Sequence, residues 1–118
     1  MTFSTPFDLP EDALEPADVR FLDVRVEPWP DNRRVRAMIT LTPFTQRPNL
    51  YAEVRNPQGE AICSAHVIET MDARMVFTLH LRGEPVDGAY SLDVRLSYED
   101  TGEIDQRTVE FDIHAAAE

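Results

Sequence analysis

A chain of 118 residues has the size of one domain, and its 42% hydrophobic content is enough to build a core, so a disordered tail is excluded. A formal net charge of −11, with eleven arginines and no lysine, disfavours nucleic acid and anionic membrane as partners, since each needs a positive face, and no apolar run approaches the ~18 residues of a membrane helix. The single cysteine, Cys63, excludes an internal disulfide and with it any need for an oxidising compartment.

Residues 1–18 hold Asp8, Glu11, Asp12, Glu15 and Asp18, three prolines and no basic side chain, and read as an extended acidic arm. Within it, residues 10–14 have the Pro-first, acid-rich start of one helical turn. No basic n-region or apolar h-region is present, so with Met1 as the start the expected location is the cytoplasm.

From residue 19 the apolar period becomes two. Leu22, Val24 and Val26 alternate with Asp23, Arg25 and Glu27. Val35, Ala37, Ile39 and Leu41 form the next inward set, followed by Leu50, Ala52 and Val54. Residues 60–69 are ambiguous, with Ala61, Cys63, Ala65 and Val67 the better apolar set and its sheet left open. Met75, Phe77, Leu79 and Leu81 come next, then Tyr90, Leu92, Val94, Leu96 and Tyr98, and last Val109, Phe111 and Ile113. Alternation over such runs marks half-buried strands, and the Pro, Gly, Asn and Asp between them supply turns. Seven strands at this spacing predict an all-β, seven-stranded antiparallel immunoglobulin-like β-sandwich over 19–114, with the acidic arm before it and a short tail at 115–118.

Gly88-Ala89-Tyr90-Ser91-Leu92-Asp93-Val94 resembles the G-x-Y-x-L/V-x-V opening of the sixth strand in immunoglobulin-like and fibronectin type III-like domains. The resemblance implies that the Tyr90 hydroxyl bonds back to the corner backbone in the 83–88 connection. It departs from antibody domains, because Leu92 stands where the second cysteine would be and the third strand lacks a tryptophan. A shared fold does not fix a function.

Candidate chemistry is sparse. Cys63 would need a neighbouring imidazole and a polar setting to act as a nucleophile; a hairpin across 69–72 would bring it near His80. The apolar parity instead predicts a buried, structural Cys63, with His66 and His80 pointing away from the core. His66, His80 and His114 show no metal-ligand spacing. Glu99, Asp100, Glu103 and Asp105 form a candidate calcium turn, although no EF-hand pattern is present. No cofactor is expected, since the chain has no Gly-rich phosphate loop and no G-x-S-x-G elbow.

Trp29, the only tryptophan, lies between Pro28 and Pro30. It either caps one end of the core or presents a rigid aromatic anchor beside Arg33 and Arg34. Alternate connections of a sandwich fall at opposite ends, so the arm and the later acidic turns should share one pole, with Trp29, Arg33 and Arg34 at the other, near-neutral pole. The leading expectation is a non-catalytic protein-interaction module using the Trp29 end. The alternatives are a structural homodimer and an intracellular enzyme inhibitor built on such a sandwich.

Overall fold

The computed structural model describes residues 13–114. Seven strands form two antiparallel sheets: β1 (Phe21–Pro28), β2 (Arg34–Leu41), β3 (Asn49–Arg55), β4 (Ala61–Val67), β5 (Arg74–His80), β6 (Gly88–Tyr98) and β7 (Gly102–Ile113). The orders are β1-β2-β5 and β4-β3-β6-β7. The all-β sandwich follows from the alternation, because each run buries one face against the opposite sheet. Val35, Ala37, Ile39 and Leu41 meet Leu50, Ala52, Val54, Leu92, Val94 and Leu96 in one core.

The sheet of residues 60–69, open in the sequence, is that of β3. A hairpin of the fourth and fifth strands does not form. β4 and β5 lie in different sheets, and the connection between them crosses from one sheet to the other.

Three inward assignments change, each for a local reason. Leu22 is 58% exposed, while Phe21 is buried instead. The register of β1 on β2 shifts between Phe21 and Asp23, and an extra residue in a strand turns the side chains before it to the other face. A second shift, between Val54 and Arg55, exposes Ala61 and lets Ile62 pack on the core. Cys63 keeps its inward parity but is only half-buried, because β4 is the last strand of its sheet and its outer side is open. His66 and His80 are both exposed, as the parity predicts.

The final strand is longer than its apolar residues alone indicate, and starts at Gly102 rather than near 107. In the arm, Leu14 makes an extended bridge to Phe44, followed by a single 3-10 turn at Pro16–Asp18. The helical turn expected at residues 10–14 and the 115–118 tail fall wholly or mostly outside the described residues. No helix among the described residues is long and apolar enough to cross a membrane.

Candidate binding surfaces

Antiparallel pairing sends the β1–β2, β3–β4 and β5–β6 connections to one pole and the β2–β3, β4–β5 and β6–β7 connections to the other. The two poles differ in charge. The second gathers Glu15, Asp18, Glu69, Asp72, Glu99, Asp100, Glu103 and Asp105 around Arg20, Arg47, Arg74 and Arg107. Leu14 lies there too, its backbone bonded to Pro43 and Thr45, so the described part of the arm runs beside the acidic turns. Asp8, Glu11 and Asp12 lie outside the described residues.

The first pole is built on the β1–β2 turn. Trp29 N–H donates to the Arg34 carbonyl at 2.8 Å and the Asn32 N–H to the Trp29 carbonyl at 2.9 Å, which closes the turn. Asn32 takes φ of 58°, a left-handed conformation that asparagine tolerates. Asp31 organises the side chains. One carboxylate oxygen accepts the Arg33 backbone N–H at 3.0 Å. The other accepts Arg34 Nε at 3.1 Å and Nη2 at 2.9 Å. The backbone N–H of Arg33, followed by the Arg34 guanidinium, holds the Asp31 carboxyl below its ordinary value. Arg34 is thereby fixed with its guanidinium 3.9 Å from the centre of the Trp29 ring, a cation–π stack.

Trp29 stacks on Arg34 and is not among the side chains that pack on the core. The ring is half-buried, and its indole N–H is buried with no hydrogen-bond partner. The ring also lines a shallow depression of about 280 Å³ with Glu27, Pro28, Pro30 and Arg36. Arg33 reaches across to Glu84 at 2.9 Å. An adjoining cleft of about 470 Å³ lies between the β3–β4 and β5–β6 connections, bordered by Asn56, Gln58, Arg82, Val86 and Tyr90.

Tyr90 secures that end. Its hydroxyl donates to the Val86 carbonyl and accepts the Val86 N–H, both at 3.1 Å, which ties the β5–β6 connection to the core. Gly88, two residues earlier, has φ of 138°, and a Cβ there would lie 2.8 Å from Pro57. The glycine of the motif therefore allows the β3–β4 turn to approach the start of β6.

The candidate calcium turn does not assemble. Asp105 lies within β7, where its carboxylate accepts the Phe21 N–H and the Gln106 N–H, each at 2.9 Å. Glu103 is drawn into the β6–β7 ladder opposite Ser97, leaving Glu99 and Asp100 on the turn. Among the described residues no group of three or more His, Cys, Asp or Glu side chains could hold a metal ion. Burial pushes the Cys63 thiol up, against a weaker opposing effect of Arg82, which is opposite to what a thiolate nucleophile needs.

One polar cluster escaped the sequence reading. Glu53 and Asp93 sit directly opposite each other on β3 and β6, each with its side chain only 13% exposed. Like charges opposed across a ladder repel. Arg55 offsets this at 2.5 Å from Glu53, and Arg95 at 3.0 Å from Asp93. Tyr51 donates to Glu53 at 2.8 Å, while Thr108 and Gln106 donate to Asp93. The bond to Glu53, with burial behind it, raises the Tyr51 hydroxyl above its usual value. Register over some 40 residues creates this cluster, and no local spacing signals it.

No family model matches the chain, and no curated protein matches it by sequence. Its fold is found in solved structures. A β-glucuronidase from Ruminococcus gnavus matches at TM-score 0.53 and 9% identity, over 81% of this chain and 16% of that enzyme. The Lactobacillus rhamnosus β-glucuronidase matches at 0.52 and 13%, over 81% and 16%. A glycosyl hydrolase family 2 member from Bacteroides cellulosilyticus matches at 0.53 and 11%, over 80% and 15%. The chain thus corresponds to about one sixth of each enzyme's length, and at these identities the likeness is one of fold.

Proposed function

We propose that the chain is a non-catalytic protein-interaction module on an immunoglobulin-like scaffold, and that it meets its partner through the Trp29 pole. The observation that carries this reading is the stack of Arg34 on Trp29, pinned by Asp31. Tryptophan and arginine dominate binding hot spots, and a side chain already held in place loses little entropy on docking. The two ion pairs play different parts in the reading. The Asp31 pair keeps Arg34 on the ring, while the exposed Arg33–Glu84 pair, of a kind that contributes about 0–1 kcal/mol, leaves Arg33 free to exchange Glu84 for a partner's acceptor.

The test is affinity capture from the source cells with immobilised wild type, the Trp29→Ala/Arg34→Ala variant and the acidic-pole variant Glu99→Gln/Asp100→Asn. The reading expects a protein retained by wild type and by the acidic-pole variant and lost from the Trp29 variant. Retention by all three would place the contact elsewhere.

A further inference from the structure

A sandwich of two open sheets has four edge strands, here β1, β5, β4 and β7. Unpaired edges template association with other strands, and proteins blunt them with bulges, prolines, charges or covering contacts. Three of the four edges carry such devices. β1 has a bulge near its start and Pro28 at its end, and β7 covers its opening residue: Asp105 accepts the Phe21 N–H and Arg107 donates to the Phe21 carbonyl. β7 is irregular where Leu96/Ser97 shifts the ladder, and the same two charged residues tie it to β1. β4 is bulged opposite Val54/Arg55, and Arg82 covers its start by donating to the carbonyls of Ile62 and Ala61.

Between Arg74 at its start and His80 at its end, whose backbone bonds to the Cys63 thiol of β4, the β5 strand has none of these. Its sequence, RMVFTLH, contains no proline, glycine or carboxylate, and its ladder to β2 runs without a register shift. The bonds from Leu41 N–H to the Ala73 carbonyl and from Leu81 N–H to the Arg33 carbonyl set the alternation. Odd-numbered residues from 73 to 81 therefore bond to β2, and the N–H and C=O groups of Arg74, Val76 and Thr78 point outward. Val76 is 62% exposed, and Met75 and Phe77 are only half-buried where the sheets part company.

We propose that β5 pairs antiparallel with β5 of a second copy of this chain, about a two-fold axis at Val76. In this register Val76 faces its own counterpart, and Arg74 lies opposite Thr78 of the second copy in hydrogen-bonded pairs. Met75 comes opposite Phe77 of the second copy in the closely spaced pairs between them, a sulfur–aromatic contact that covers both half-exposed side chains. The neighbouring register, centred on Phe77, sets Met75 opposite Leu79, which is already buried in its own core, and so loses the contact between Met75 and Phe77. Charge selects a second copy as the occupant. β5 runs from the acidic pole to the Trp29 pole, so antiparallel pairing lays Glu69 and Asp72 of one copy beside Arg82 of the other. The contact does not involve Trp29 and stands apart from the proposed partner site.

Sedimentation velocity on the full chain tests this, alongside Val76→Lys and Thr78→Pro. Residue 78 points its N–H outward, so proline there removes no bond to β2. It removes one rung from each copy, weakening association on the order of 25-fold at roughly fivefold per bond. Val76→Lys changes an exposed side chain and carries the test should the proline variant unfold. Register is read by oxidation of Val76→Cys in a Cys63→Ser background. Opposed residues about 5.5 Å apart suit a disulfide, so Val76→Cys should cross-link and Thr78→Cys alone should not. A wild type that stays monomeric at its highest soluble concentration overturns the proposal. So does a dimer that survives Val76→Lys unchanged, or a Thr78→Cys variant that cross-links as well as Val76→Cys. Loss of partner capture in Trp29→Ala with the dimer intact separates this contact from the other site.

Discussion

Two tyrosines show how single hydroxyls are used in this fold. Tyr90 makes a reciprocal pair with the backbone of Val86. Removing the hydroxyl in Tyr90→Phe leaves a part-buried N–H and carbonyl without their partner, and should cost about 1–2 kcal/mol. A denaturation midpoint that does not move would show that Tyr90 acts by packing alone. Tyr98 donates to the Gln46 carbonyl at 2.7 Å, and burial, with Glu15 nearby, pushes its hydroxyl from 10.0 up to about 12. The sign follows from the direction. Above pH 10 the unfolded chain releases this proton while the folded chain still holds it, so stability is lost as pH rises from 10 towards 12. Urea titrations across that range should show a steeper alkaline decline in wild type than in Tyr98→Phe. Parallel curves would show that Tyr98 does not contribute.

At the scale of the strand, the bulge near the start of β1 makes adjacent apolar residues unequal. Phe21 is 1% exposed and belongs to the core, and Phe21→Ala should cost about 3–5 kcal/mol. Leu22, on the opposite face, should tolerate alanine within about 0.5 kcal/mol. Thermal melts of the two variants distinguish this register from the unbulged one, in which Leu22 is the costly position. The same contrast marks the limit of what periodicity conveys. Val35 to Leu41, Leu50 to Val54 and Tyr90 to Tyr98 are legible because each keeps one parity throughout its strand. Leu22, Ala61 and Ile62 are not, because a bulge is a property of the pair of strands and leaves no mark in the alternation of one. The start of β7 was hidden for a different reason. Glu103 and Asp105 look like part of a solvated turn until Phe21 is seen to supply a bonding partner for Asp105. The motif around Tyr90 was readable because both its glycine and its hydroxyl act within a few residues of themselves or against one neighbouring turn.

At the scale of the whole molecule, chain topology sorts charge into an acidic pole and one where Arg33, Arg34, Arg36 and Arg82 stand among Glu27, Asp31, Glu60 and Glu84. Counting loops in the sequence was enough to anticipate that separation, since connections in an antiparallel sandwich must alternate ends. The Arg34–Trp29 stack and the Glu53–Asp93 pair were beyond it, because both depend on side-chain placement across a turn or a ladder. The acidic pole should steer a cationic molecule only within about a Debye length, ~8 Å at physiological salt, and so sets approach more than specificity. In the proposed reading the specific contact belongs to the opposite pole. The direct measurement is site-specific photo-cross-linking in the source cells, with a photoreactive residue placed at Pro30 beside Trp29 or at Thr101 in the acidic turn. The account predicts one discrete adduct to another protein from position 30, abolished when Trp29→Ala is added, and none from position 101. An adduct from position 101 with none from position 30, or one at position 30 that persists without the indole, would contradict it.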